Sequence, residues 1–172
     1  MRRLASVLTL TALGLAQSAL AADSGARAIL PALVNAHTHL ELSWMRGRLA
    51  GFATMPEWVQ ALVSLRRREG ADERAASAEG IREAVACGTG ALGDIGNSPA
   101  SCGPLAASPL RAVVFRELLG FDAGDPVGMV SRASAEARAC AAPNVRVALA
   151  VHAPYSVSPG LFDAIRRRAL AE

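Results

Sequence analysis

Short apolar runs alternate with helical patterns along most of this 172-residue chain, and this alternation limits the folds open to it. Each run has the length and the branched side chains of a buried strand, and the segments between them carry apolar residues at helical spacing. The predicted strands are 28–36, 89–95, 111–118 and 145–151. The predicted helices are 56–68, 72–87, 125–141 and 158–170, and a loop rich in Gly, Asn, Ser and Pro follows the second strand. This order predicts an α/β protein with a parallel sheet and helical crossovers.

Four strand–helix units are half of an eight-stranded TIM barrel. Without its first 21 residues the chain has about 150 residues, fewer than the roughly 200 of the smallest complete barrels. We therefore expect residues 22–172 to form a partial (β/α)8 barrel of about four units. We also expect the chain to be truncated before a fifth strand.

The first 21 residues have the three-part pattern of a secretory signal peptide. Arg2 and Arg3 give a positive start, an apolar run extends to Ala16, and a small-x-small end lies before Ala22. The run is too short to span a bilayer, which takes roughly 20 residues, so no membrane anchor is expected after cleavage. The pattern predicts export to the periplasm or the medium. A buried N-terminal helix, or a start codon chosen inside a longer frame, would instead indicate a cytoplasmic protein.

The formal charge of +3 is no sign of nucleic-acid binding. Arginines and carboxylates nearly balance once the first 21 residues are set aside, and the arginine runs 66–68 and 166–168 lie near the ends of predicted helices. Cations there suit the helix dipole, whereas a nucleic-acid binder gathers its charge on one face. All eighteen basic residues are arginine, so the chain has no lysine.

The three cysteines leave the compartment open. Cys87, Cys102 and Cys140 are odd in number, so at least one thiol is unpaired. None stands in a Cys-x-x-Cys spacing, which leaves a zinc–thiolate site little support. We expect them to be small buried residues.

Two histidines stand at the end of the first predicted strand. In an extended segment His37 and His39 point to the same side, so both imidazoles can face one metal ion. Imidazole suits zinc, iron and nickel alike, and barrel active sites lie at the carboxyl ends of the strands. The alternative is that they are two polar residues in a turn.

Four stretches of the chain carry a family resemblance, in the order and positions that the family has. They are LPALVNAHTH at 30–39, PEW at 56–58, GTGALGDI at 88–95 and VHAPYS at 151–156. Together they resemble the amidohydrolase superfamily, and within it the branch of cytosine deaminases, triazine chlorohydrolases and adenosine-type deaminases. The resemblance extends from about residue 28 to the end of the sequence and covers the N-terminal half of such a barrel.

The resemblance implies a role for each matching residue. His37 and His39 would be ligands of one divalent metal, with zinc the first expectation and iron the second. His152 would contact the substrate, and Glu57 and Trp58 would shape its pocket. This chain has no lysine, so it cannot supply the carboxylated lysine that bridges two metal ions in some members of the superfamily. The acid–base carboxylate and the other ligands would lie beyond residue 172, so we assign no catalytic residue in this chain.

The implied activity is hydrolysis of a non-peptide carbon–nitrogen bond by metal-activated water. A small molecule such as a heterocyclic amine or amide would be the substrate, and this chain alone would be inactive. The alternative is a catalytically inactive half-barrel with a binding or vestigial role.

Three acidic residues near the predicted strand ends leave their roles open. Glu41 either orients a metal ligand or is an exposed acid at a strand end. Asp94 is either a pocket residue or a cap at the loop entry. Glu117, if buried, needs a partner, which we expect to be a distant arginine because Arg116 points away from it.

Overall fold

A computed structural model describes residues 29–49 and 51–171 of the chain. The chain divides into two compact units, Met1–Ala32 and Leu33–Glu172, and every helix and strand of the described residues lies in the second. The predicted signal peptide lies outside the described residues, as does residue 28 of the first predicted strand.

The second unit is built on a four-stranded parallel sheet whose strands lie in chain order. The strands are β1 (Leu33–Thr38), β2 (Thr89–Gly96), β3 (Arg111–Leu118) and β4 (Val145–Val151). Helices lie between the strands in sequence, so each crossover returns the chain to the same end of the sheet. This is a partial (β/α) barrel, as the sequence predicts.

The helices, apart from the short one at Cys102–Ala106, each follow a residue whose side chain caps them. They are α1 (Met55–Glu69), α2 (Glu73–Ala86), α3 (Cys102–Ala106), α4 (Pro126–Cys140) and α5 (Pro159–Leu170). The side chains of Asp72, Asp125 and Ser158 each accept a hydrogen bond from a backbone N–H in the first turn. Each end of the four long helices lies within one residue of the predicted end.

The core consists of two apolar clusters that join the strands to the helices. In the first, Leu92, Val114 and Val145 from the sheet pack with side chains of α2 and α3, including the fully buried Leu105. In the second, Leu118 packs with side chains of α4 and α5, among which Leu161 is fully buried. Burial of these side chains, rather than helix propensity, stabilises the α/β layers.

The first predicted strand requires correction. The strand is Leu33–Thr38 instead of 28–36, and its side chains are mostly exposed instead of buried. It pairs with β2 alone in the sheet of the described residues, so it is an edge strand with one side uncovered. The apolar sequence indicates burial on both sides, as in a closed barrel.

Two short helices were not predicted. A 3-10 helix, Leu40–Met45, follows β1, and α3 lies in the segment that the composition indicates to be a loop. Both are a turn or two long, too short for helical periodicity to register. No helix in the described part of the chain has the length and apolar character needed to cross a membrane.

The expectation for the cysteines is also partly wrong. Cys102 and Cys140 are buried, but they form a disulfide with a Cα–Cα distance of 5.4 Å. Cys87 is exposed and is the free cysteine. The disulfide joins the start of α3 to the end of α4 across a sequence separation of 38 residues. An odd number of cysteines shows that one thiol is unpaired, but it does not show which two cysteines pair.

Reduction of this disulfide is expected to destabilise the sheet–helix unit. For a loop of this length the chain-entropy relation gives about 4 kcal/mol, and measured losses fall in a range of about 2–5 kcal/mol. Urea unfolding with and without reductant measures the difference. The Cys87→Ala variant is the control and should behave as the parent. An equal free energy of unfolding in the oxidised and reduced chains would contradict the assignment.

A close approach of β1 to β2 depends on Gly93. A Cβ atom at this position would lie 2.6 Å from the Ala36 carbonyl oxygen, so Gly93→Ala must push the two strands apart. We expect this variant to lose about 1–3 kcal/mol of unfolding free energy. Gly124→Ala is the matched control, because a Cβ there meets no atom within 4 Å. Equal thermal stability of the two variants would show that the strands are not in close contact.

Candidate metal and substrate site

The two histidines of the first motif converge at the carboxyl end of β1. His37 is the penultimate residue of the strand and His39 follows it, and their rings lie edge to face with centroids 5.1 Å apart. The two Nε2 atoms are 3.3 Å apart. Both side chains are exposed to solvent on the open side of the strand. The i, i+2 spacing therefore places the imidazoles together, as predicted, while their role as metal ligands stays a prediction.

The protonation of His39 follows from its neighbour on β2. His39 Nδ1 lies 2.9 Å from the Ile95 carbonyl oxygen. A carbonyl oxygen can only accept a hydrogen bond, so Nδ1 must carry the proton. In the neutral ring Nε2 then has its lone pair free and directed toward His37. A backbone carbonyl that fixes the ring in this way is typical of metal-binding histidines.

The spacing of the two nitrogens fits a shared metal ion. Two nitrogens bound at about 2.0–2.1 Å to one tetrahedral zinc are themselves about 3.3 Å apart. At the observed 3.3 Å, two facing lone pairs repel unless a proton or a cation lies between them. Among the described residues, no group of three or more His, Cys, Asp and Glu side chains is gathered in a metal-binding cluster. Within that part of the chain the two imidazoles therefore stand as a pair, with a spacing that one metal ion could bridge.

Two buried carboxylates lie next to the histidine segment. Glu41, in the 3-10 helix, is 2% exposed and accepts a 3.2 Å hydrogen bond from the Asn97 backbone N–H. Burial raises the pKa of the Glu41 carboxyl to about 7, and the nearby Asp94 adds to the rise, while the Asn97 N–H lowers it. Asp94 has no exposed surface. Of the two readings of Glu41, the exposed acid is therefore wrong.

A polar network extends from Glu41 along the ends of β2 and β3. The Asn97 side chain donates to Glu117 Oε2 at 3.0 Å and lies 3.5 Å from an Arg66 nitrogen. Arg66 in turn pairs with Glu73. Glu117 is half-buried, and its partner is thus the Asn97 amide and not the distant arginine that burial would require. Sequence reasoning missed Asn97, whose position directly after β2 was the available signal.

His152 lies at the other side of the sheet, directly after β4. Ser156 Oγ lies 2.6 Å from His152 Nδ1 and 2.9 Å from the Ala153 carbonyl oxygen. This contact engages Nδ1 of the ring, and the Nε2 atom is the other ring nitrogen. The backbone N–H of His152 donates to the Leu118 carbonyl. Three strand spacings of about 4.8 Å separate β1 from β4, so His152 is placed across the sheet edge from the histidine pair.

Glu57 and Trp58 lie in the first turn of α1. The Glu57 carboxylate accepts from the backbone N–H groups of Ala53 and Thr54, and the Thr54 hydroxyl accepts from the Glu57 N–H. This is a capping box, which explains a glutamate here without a ligand. Trp58 lines a shallow surface depression with Phe52 and Met55. The described contacts bring neither residue to the histidine pair, and their pocket role stays a prediction.

The fold and the position of the polar groups define a class. Parallel strands with crossover helices, and imidazoles at the carboxyl edge of the sheet, are the arrangement of (β/α)-barrel enzymes. The family comparison is consistent with this arrangement, because residues 28–172 match the amidohydrolase family. The chain belongs to the amidohydrolase family.

Two proteins that are similar to this chain are deaminases. An adenosine deaminase from Helicobacter pylori is 32% identical over 135 residues, which cover 75% of this chain and 32% of that enzyme. The Helicobacter pylori aminofutalosine deaminase, solved with methylthio-coformycin, superimposes with a TM-score of 0.74 at 29% identity. The match covers 83% of this chain and 35% of that structure.

A more distant structure has the same fold. The atrazine chlorohydrolase of Arthrobacter aurescens, solved with zinc, has a TM-score of 0.67 at 20% identity, over 83% of this chain and 39% of that one. At this identity the similarity concerns the fold alone. The chain spans about a third of the length of the relatives that it matches.

Proposed function

We propose that this chain supplies the first two metal ligands and one substrate-contacting histidine of a hydrolase that acts on non-peptide carbon–nitrogen bonds. The observation that carries the proposal is the 3.3 Å convergence of His37 Nε2 and His39 Nε2, with His39 fixed through Nδ1 by the Ile95 carbonyl. Membership of the amidohydrolase family supports the reaction class.

The metal would be a single divalent ion, with zinc the first candidate and iron the second. When bound, such an ion lowers the pKa of a bound water to about 7 and so supplies hydroxide near neutral pH. A bridge through a carboxylated lysine is not available in a chain without lysine, which favours one ion over two.

His152 would bind the substrate at its Nε2. Because Ser156 Oγ contacts Nδ1, Nε2 is the ring nitrogen available to the substrate. An Nε2–H donor there would polarise the group under attack. The carboxylate that transfers the proton to the leaving amine is proposed to lie outside the described residues.

The substrate is proposed to be an amino-substituted heterocycle, and the reaction a deamination that releases ammonia. The two Helicobacter pylori relatives that support this are deaminases, one of them solved with methylthio-coformycin. Dechlorination has less support, because the similarity to the chlorohydrolase concerns only the fold.

The His37→Ala and His152→Ala variants, made in the full-length protein as its native cells produce it, test the proposal. We expect His37→Ala to lose bound metal and hydrolysis together, because it removes one ligand. We expect His152→Ala to keep its metal and lose about 100-fold or more of the activity, the scale of a lost acid–base or polarising contact. Elemental analysis and ammonia release from aminopurine nucleosides measure the two effects.

The same variants also test the alternatives. Full metal content in His37→Ala would overturn the ligand assignment. Stoichiometric metal without turnover of any amine or amide in the parent would favour the inactive, binding half-barrel. Loss of metal in His152→Ala would contradict the separation of the two roles.

We further propose that the protein is exported. The signal-peptide pattern of residues 1–21 supports this, and so does the disulfide between Cys102 and Cys140, since such bonds persist in oxidising compartments. Cell fractionation followed by mass spectrometry should find the protein outside the cytoplasm, with Ala22 as its first residue and Cys102 and Cys140 joined. A reduced cytoplasmic protein that retains Met1 would contradict export.

A further inference from the structure

We propose that Asp94 is the positioning residue of the histidine pair, and that it holds His39 in the orientation in which Nε2 meets His37. The inference rests on the proposed function in one respect, since it takes the pair to be the metal-binding element. The geometry that supports it is independent of any metal.

Asp94 is bonded to the two residues that flank His39 in sequence. Its Oδ1 accepts from the Leu40 backbone N–H at 2.9 Å and lies 3.2 Å from the Thr38 hydroxyl oxygen. The Thr38 hydroxyl also lies 3.1 Å from the Gly93 carbonyl, so its one proton is shared between two acceptors on β2. The Asp94 side chain therefore holds the Leu40 backbone on one side of His39 and the Thr38 side chain on the other.

The next residue of β2 holds the imidazole itself. The Ile95 carbonyl accepts the His39 Nδ1–H at 2.9 Å. Asp94 thus fixes the backbone of the turn while Ile95 fixes the ring. Because the two residues are adjacent on a paired strand, a shift of the turn away from Asp94 would also lengthen the bond from Nδ1 to Ile95. Orientation of His39 is therefore coupled to the Asp94 carboxylate.

A simple cap is the competing explanation. The 3-10 helix that begins at Leu40 has no side-chain cap from His39, and Asp94 caps it from the neighbouring strand. A cap, however, is usually at a solvated helix end, whereas Asp94 has no exposed surface. Its Oδ2 is also buried, and no hydrogen-bond partner for it occurs within the described ranges. A fully buried carboxylate is costly, so a stabilising cap alone accounts poorly for it.

The first experiment measures the tautomer of His39 without metal. Long-range 1H–15N NMR of the full chain at about pH 8, above the ordinary pKa of histidine, distinguishes a protonated Nδ1 from a protonated Nε2. We expect the Nδ1–H form in the parent, the same form in Asp94→Asn, and a mixture of the two in Asp94→Ala. Asparagine keeps an oxygen that accepts from Thr38 and Leu40, so it should rescue the orientation. His152 is the internal control, and its tautomer should be the same in the parent and in both variants.

The second experiment measures zinc affinity by competition with a chromophoric chelator. Loss of a group that orients a metal-binding histidine costs about 10–100-fold in affinity, and we expect this loss in Asp94→Ala, with Asp94→Asn within about threefold of the parent. Thr38→Val removes one of the two donors at nearly constant shape, and it serves if Asp94→Ala does not fold. It should weaken zinc binding about 3–10-fold and populate the second tautomer of His39.

Two results would overturn the proposal. One is an unchanged His39 tautomer in both Asp94→Ala and Thr38→Val. The other is equal loss of affinity in Asp94→Ala and Asp94→Asn, which would indicate that charge, and not orientation, is what Asp94 supplies. If no variant and no parent binds zinc, the proposed function fails, and the tautomer measurement still decides the role of Asp94.

Discussion

The candidate metal site depends on the parallel pairing of β1 with β2. This pairing sets Thr38 opposite Asp94 and thereby brings the histidine segment to the carboxyl end of β2. The register shifts between Asn35 and Thr38, so the strand departs from regular pairing where the histidines begin. Gly93 permits the close approach, since a side chain there would meet the Ala36 carbonyl. The position of the candidate site is thus set by the backbone pairing of β1 with β2.

Parallel strands concentrate the polar groups at one edge of the sheet. His37 is the penultimate residue of β1 and His39 follows that strand. Glu117 is the penultimate residue of β3, Asn97 follows β2, and His152 follows β4. Helices cover one face of the sheet with apolar residues, and the active sites of barrel enzymes lie at the carboxyl ends of the strands. Buried Glu41 and Asp94 connect this edge to the core and limit the movement of the residues above them.

Periodicity in the sequence was sufficient to predict the strands and long helices, because buried branched residues and helical spacing dominate each of those segments. The exposure of β1 was not predictable, since its sequence Leu33–Ala36 is as apolar as that of a covered strand. The convergence of His37 and His39 follows from their two-residue spacing. The contact of His39 with Ile95, 56 residues away, depends on register, which a single sequence does not specify.

The same limit applies to the buried acids. Glu41 stands two residues after His39, and the sequence alone is equally consistent with a buried residue that orients a metal ligand and with an exposed acid. Its burial depends on how the unpredicted 3-10 helix packs on α2. Pairing of Cys102 with Cys140 likewise requires knowledge that α3 and the end of α4 are neighbours. Local sequence patterns therefore predict the helices and strands. Which polar residues contact one another becomes clear only when the strands are paired in the sheet.

X-ray absorption at the zinc edge, on the full-length protein purified from its native cells, tests the central claim most directly. Ligation by His37 and His39 predicts imidazole nitrogen scatterers at about 2.0–2.1 Å, with the outer-shell features of the ring atoms. A shell of sulfur at about 2.3 Å, or a metal-free protein, would contradict the assignment of the pair as metal ligands.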